Sequence, residues 1–113
     1  MATLPSTSTS QNSLGNIYVV ETGTNENGSW IKYNDGLLIQ WGLADCAPDA
    51  RSTKNYFPTP FRTTNIAMAG TCINFNVDIF VRLQAIDNKS FTADDNTEGG
   101  YWKDHVTYIA IGY

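Results

Sequence analysis

Gly28-Ser29-Trp30-Ile31-Lys32-Tyr33-Asn34-Asp35-Gly36-Leu37-Leu38-Ile39-Gln40-Trp41-Gly42 decides the fold of this chain. Two runs rich in β-branched and aromatic residues, 30–33 and 37–41, flank Asn34-Asp35-Gly36. Asp-Gly between such runs predicts a β-hairpin, because the turn needs a residue at φ > 0 and glycine takes that conformation without a Cβ clash. Alternation along the second run sets Leu37, Ile39 and Trp41 on one face and Leu38, Gln40 and Gly42 on the other. The first face reads as core, with Trp30 and Trp41 packed inside, and the second as half polar. An antiparallel β domain follows.

Composition narrows what such a domain does. With 113 residues the chain is one domain, a size that buries roughly two thirds of the unfolded surface. Charged residues make up 16%, and 11 acidic against 7 basic side chains give a net charge of −4. That balance speaks against nucleic acid as a partner, which calls for a basic stripe, and against an anionic membrane surface. No apolar run approaches 18 residues, so no membrane insertion is expected. The N-terminus has neither the basic nor the apolar region of a signal peptide. Cys46 and Cys72 are the two cysteines, and nothing in the sequence demands that they pair.

Outward from the hairpin, residues 1–13 are almost wholly Ala, Thr, Ser, Pro, Gln and Asn. Such a segment cannot offset its ordering entropy by burial and reads as a flexible linker or, within a longer polypeptide, the end of a stalk, with residues 14–113 as the folded domain. Residues 17–20 form a short β-run, 21–28 a polar turn region, and 44–55 a polar, irregular stretch. The two prolines in 56–61 confine it to an edge or a strand-to-loop crossing, with Phe57 and Phe61 tucked inward. Residues 65–75 read as a strand with a bulge at Gly70. Residues 77–86 alternate as a half-buried strand, 87–89 turn, and 90–93 form a short strand anchored by Phe91. Residues 94–104 read as a long polar loop, and 106–113 as a terminal strand buried on both faces. Six to seven short strands separated by turn signals predict an antiparallel β-sandwich.

The 94–104 loop carries the candidate recognition residues. Trp102 sits among polar and glycine residues where no packing reason is visible, and an aromatic face there suits stacking on a sugar. Side chains on loops held by a rigid sandwich are the usual form of a binding site. Asp94, Asp95, Asn96, Trp102, Lys103 and Asp104 are therefore the ligand-binding candidates, with Arg51 from the other long loop. Asp94-x-Asn96-x-Glu98-Gly99 begins like a calcium loop but has His105 where the bidentate glutamate belongs. No metal and no cofactor is expected. His105 beside Asp104 lacks a nucleophile motif to serve, so no catalytic residue is assigned.

Tyr18-Val19-Val20-Glu21, Gly28-Ser29-Trp30, Lys32-Tyr33-Asn34-Asp35-Gly36, Gln40-Trp41-Gly42, Phe57-Pro58-x-x-Phe61 and Tyr108-Ile109-Ala110-Ile111-Gly112-Tyr113 occur in an order that resembles the C-terminal receptor-binding tip domain of bacteriophage and prophage tail fibres. The resemblance covers roughly residues 17–113. It implies an H-type-lectin-like sandwich assembling as a parallel homotrimer, with Tyr18, Val20, Tyr108, Ile109, Ile111 and Tyr113 as candidate interface residues. The implied function is recognition of a bacterial surface glycan or outer-surface protein at the distal end of a virion fibre, joined to an upstream fibre shaft and made in the host cytoplasm. The strand arginine that H-type lectins use for sugar falls at Asp78, and their Trp-His pair at Glu98 and Gly99, so no particular sugar carries over. The rival readings are a structural trimerisation cap without receptor contact and a small polysaccharide-degrading enzyme.

Overall fold

In a computed structural model, residues 16–46, 53–73, 81–95 and 102–113 are described, residues 95 and 102–105 by backbone alone. The expected linker at residues 1–13 lies outside them. The predicted hairpin forms between β2 (Gly28–Tyr33) and β3 (Leu38–Cys46). Gly36 N–H donates to the Tyr33 carbonyl at 2.9 Å, Leu37 N–H donates to Asp35 Oδ1 at 3.0 Å, and Gly36 has φ 96°. Glycine is required there for the backbone and also for space: the Arg62 guanidinium lies where a Cβ would stand.

The eight strands among the described residues make two antiparallel sheets. Preceding the hairpin is β1 (Val19–Asn25); after it come β4 (Thr53–Tyr56), β5 (Ala67–Cys72), β6 (Val81–Ala85), β7 (Ser90–Asp95) and β8 (Trp102–Gly112). The five-stranded sheet has the order β1-β2-β3-β8-β5, the three-stranded one β4-β7-β6. The sandwich is thus as expected, with strands where the pattern was silent. β1 continues to Asn25 through residues read as a turn, and β4 lies in the stretch read as irregular. Both are edge strands, which bury little and so show little apolar period. Gly70 makes no bulge: it pairs with Tyr108 in unbroken register. Its bare Cα instead admits the close approach of the Thr107 carbonyl and the Leu83 side chain.

The core lies between β3 and β8 on one side and β7 on the other. Leu38, Ala44, Cys46, Val106, Tyr108 and Ala110 face Phe91 and Ala93, and Phe57 and Phe61 close one end. Phe91 is the hub, with ring centroids 5.0 Å from Phe57 and 4.7 Å from Tyr108. Phe57 and Phe61 meet edge to face at 5.0 Å, a favoured arrangement of aromatic quadrupoles. β6 alternates as read, with Val81, Leu83 and Ala85 half-buried and Arg82 and Gln84 exposed.

The facing of β3 is the reverse of the expected one. Leu38 and Gln40 point into the core, while Trp41 and Leu43 point out. Gln40 is accepted at 0% exposure because its amide satisfies a whole peptide unit of the neighbouring segment: Nε2 donates to the Thr59 carbonyl at 2.8 Å and Oε1 accepts the Thr59 N–H at 2.9 Å. A buried amide with both ends paired no longer incurs the desolvation cost that bars polar groups from cores. Trp30 lies on the core side, partly buried, with its indole N–H donating to Glu21 Oε2 at 2.8 Å.

Candidate functional site

The sandwich has two unlike ends. At one end the N-terminal segment joins the domain. Asn34, in the hairpin turn, clamps it with three hydrogen bonds: Tyr18 N–H to Asn34 Oδ1 at 3.0 Å, Asn34 N–H to the Tyr18 carbonyl at 2.9 Å, and Asn34 Nδ2 to the Asn16 carbonyl at 2.9 Å. The β6–β7 turn lies at this end too, where Lys89 and Asn88 carbonyls accept the Phe57 and Phe61 amides. That turn is built around Asp87, whose carboxylate accepts the Lys89 and Ser90 amides and the Ser90 hydroxyl, each at 2.8 Å. These bonds hold its pKa below the ordinary carboxylate value, the Lys89 amide first and the Ser90 hydroxyl second.

The opposite end is defined by the register. Cys46 pairs with Trp102, Thr53 with Ala93, and Val81 with Asp95. The strand ends that lead into residues 47–52 and 96–101, and the strand that follows 74–80, are therefore gathered away from the chain's point of entry. The two sheets are tied here by a second amide lock: Asn55 Oδ1 accepts the Asp45 N–H and Nδ2 donates to the Asp45 carbonyl, both at 2.9 Å.

Most of the candidate ligand residues map to this far end, in a different setting from the expected loop. Asp94 belongs to β7, directly opposite Arg82 of β6. Arg82 Nε donates to Asp94 Oδ1 at 2.8 Å and Nη2 to Oδ2 at 3.0 Å. The fork-on-carboxylate geometry fixes both planes. Its hydrogen bond first, and the carboxylate's charge second, hold the guanidinium pKa above the usual arginine value. Asp94 is thus committed to a cross-strand pair, and its partner Arg82 is a far-end residue outside the candidate set drawn from the sequence. Pairs at i and j on neighbouring strands have no spacing signature before the register is known.

Asp95 ends β7, and Trp102, Lys103 and Asp104 begin β8 instead of closing a loop. The ladder is irregular there: between the pairs Ala44–Val106 and Cys46–Trp102, two residue steps on β3 oppose four on β8. Such bulges interrupt the pleat and re-aim side chains at sheet ends. Asn96 and Arg51 lie outside the described residues. Among the described residues no group of three or more His, Cys, Asp or Glu side chains is gathered as a metal site.

The candidate interface residues divide into three groups. Tyr108 is core, 4% exposed, and its hydroxyl donates to the Asn27 carbonyl at 2.9 Å. Its position in a strand expected to be buried on both faces is only half right, since the alternate residues Ile109 and Ile111 are exposed. Those two stand opposite Trp41 and Ile39 on the outer face of the large sheet. Tyr18, Val20 and Tyr113 lie elsewhere, on the wall of a cavity at the entry end.

This two-sheet arrangement is similar in fold to solved pyocin tail fibres. The chain is similar to the R2 pyocin fibre of P. aeruginosa, a structure of its C-terminal residues, at 23% identity over 83% of this chain and 26% of that one, with a TM-score of 0.62. It is also similar to an N-truncated R2-type pyocin tail fibre, at 20% identity over 85% of this chain and 39% of that one, again with a TM-score of 0.62. The chain therefore spans between about a quarter and two fifths of the length of these two solved, truncated chains. No curated protein matches it. The sequence of residues 32–113 matches the family described as "Putative tail fiber protein gp53-like, C-terminal", and the chain belongs to that family.

Proposed function

We propose that this domain is the receptor-binding tip of a tail fibre, held as a homotrimer, and that its far end contacts the bacterial surface. The observation that carries this reading is the polarity of the fold. The segment preceding the domain is clamped by Asn34 at one end, and Asp95, Trp102, Lys103 and Asp104 stand at the other. A shaft that joins at the clamped entry end would leave the far end facing outward from the particle. The chemistry expected at that end, an aromatic ring among acidic and basic side chains, suits a glycan.

A second feature supports the trimer. Trp41, Leu43, Ile109 and Ile111 are between 39% and 48% exposed on one continuous outer face. Exposed apolar patches of this kind mark surfaces covered by a partner. Three copies would raise weak glycan contacts by avidity, with several fibres multiplying the gain. The test is adsorption of particles carrying Trp102→Ala together with Asp95→Ala. Assembled particles that fail to adsorb support a receptor-binding tip. Unchanged adsorption by that pair favours a structural cap and overturns the reading.

A further inference from the structure

The register lays out the outer face of the large sheet position by position. One row across it runs Thr22, Ile31, Ile39, Ile111, Ala67, and the next runs Thr24, Ser29, Trp41, Ile109, Ala69. A shorter third row holds Leu43, Thr107 and Thr71. None of these positions is charged, in a chain with 11 acidic and 7 basic side chains. The outer face of the small sheet is the opposite: by alternation with Phe91 and Ala93 it carries Lys54, Arg82 and Asp94. Depletion of charge is the compositional mark of a surface covered by protein.

The hydroxyls on the uncharged face already donate within the sheet. Ser29 Oγ donates to Thr24 Oγ1 at 3.0 Å, and Thr24 Oγ1 to the Gly28 carbonyl at 3.1 Å. Thr107 Oγ1 donates to the Thr71 carbonyl at 3.2 Å, and Thr71 Oγ1 to the Cys72 carbonyl at 3.4 Å. A neighbouring chain can therefore cover these groups without leaving a buried donor unmatched.

Side-chain size is divided unevenly across this face. Trp41 and Leu43 of β3 stand out as a ridge, 39% and 48% exposed. On β5, at the sheet edge, the same rows end in Ala69 and Thr71. An open groove of about 350 Å³ runs there, lined by residues 69–71 and 107–109. In each row the larger side chain and the smaller one lie on opposite sides of β8. Three parallel copies whose faces point at a common axis meet one neighbour with each half of the face. Such a ring closes when the two halves complement each other.

We propose that Trp41 and Leu43 of one copy seat in the Ala69–Thr71 groove of the next, and that three such contacts close the ring. The inference rests on the homotrimer proposed above and adds which halves of which face meet; it is independent of what the far end binds. A ridge-on-ridge contact leaves the grooves unfilled, and their linings lose the dispersion contacts that close packing supplies.

The experiment uses the whole 113-residue chain. Light scattering in line with size exclusion gives its mass, expected at three times 12.5 kDa. Trimers reassembled from ¹³C-labelled and unlabelled copies then give isotope-filtered NOEs, which arise only between chains. These should join the Trp41 indole protons to the Ala69 and Thr71 methyl groups. Ala69→Trp fills the groove and should give a 12.5 kDa species with an unchanged far-UV circular dichroism spectrum. If that variant does not fold, the NOEs decide. A trimer whose filtered NOEs join Trp41 to Trp41, or omit Ala69 and Thr71, overturns the inference and leaves the homotrimer standing. A folded Ala69→Trp chain that stays trimeric does the same. A parent chain of 12.5 kDa overturns both.

Discussion

The two faces of β3 and β8 differ in a way that residue type alone would have inverted. On the inner face a glutamine is fully buried beside Leu38, Ala44 and Ala110; on the outer face a tryptophan, a leucine and two isoleucines stay partly in solvent. The inner face is chosen by satisfaction. Gln40 completes the hydrogen bonding of Thr59, and Tyr108 that of Asn27, so each polar group that enters the core also ties down a loop. Among the described residues the outer face ties down no loop in this way; its polar contacts, such as Thr107 Oγ1 donating to the Thr71 carbonyl at 3.2 Å, stay within the sheet. The first face holds one chain together, and the second is suited to holding chains to one another.

The difference is broken most sharply at Phe91. Phe91→Ala removes the ring shared by Phe57 and Tyr108 and should destabilise the domain by about 3–5 kcal/mol in urea unfolding. Leu43→Ala on the outer face should change the stability of the isolated chain by less than about 0.5 kcal/mol, when measured at concentrations too low for assembly. Equal costs at the two sites would show that the outer face already contributes to the single-chain fold.

A smaller effect is expected at Gln40. Gln40→Leu keeps the volume roughly constant while leaving the Thr59 amide and carbonyl unpaired, and should cost about 1–3 kcal/mol in the same measurement. A neutral or stabilising result would mean that water or a shifted loop replaces the amide, and that satisfaction does not select the inner face.

The smallest effect is a pH dependence. Burial raises the Tyr108 phenol pKa well above its ordinary value near 10. A group whose folded pKa is raised contributes stability that is complete below the unfolded pKa and lost as pH climbs toward the folded one. Urea midpoints should therefore hold steady from about pH 7 to 9 and decline above about pH 10. Tyr108→Phe should flatten that decline relative to the parent, after a uniform loss of about 1 kcal/mol for the Asn27 bond. An identical decline in both would assign the alkaline loss to other groups.

Much of the architecture was legible in local patterns. The hairpin rested on Asp35-Gly36 between β-formers, and the inward Phe57 and Phe61 on prolines that bar a ladder strand. The β6 alternation and the Phe91 anchor appeared as written. What escaped were edge strands, whose polar residues carry no period, and the facing of β3, where both sets of alternate residues contain large apolar side chains. Among the candidate residues Asp94 could be named from its own stretch of sequence, whereas Arg82, twelve residues away, becomes its partner only through the β6–β7 register.

By itself the amino-acid sequence determined the class of fold, the main hairpin and the family, because these depend on turn chemistry, alternation and the order of short motifs, all of which are local. The tertiary structure decided which face of β3 is core, that Tyr108 belongs inside while Ile109 and Ile111 do not, and that Trp41 and the small residues of β5 share one outer face. Those outcomes depend on which backbone groups lie within hydrogen-bond reach and on five strands facing three, relations between residues far apart in the chain that acquire a distance only on folding.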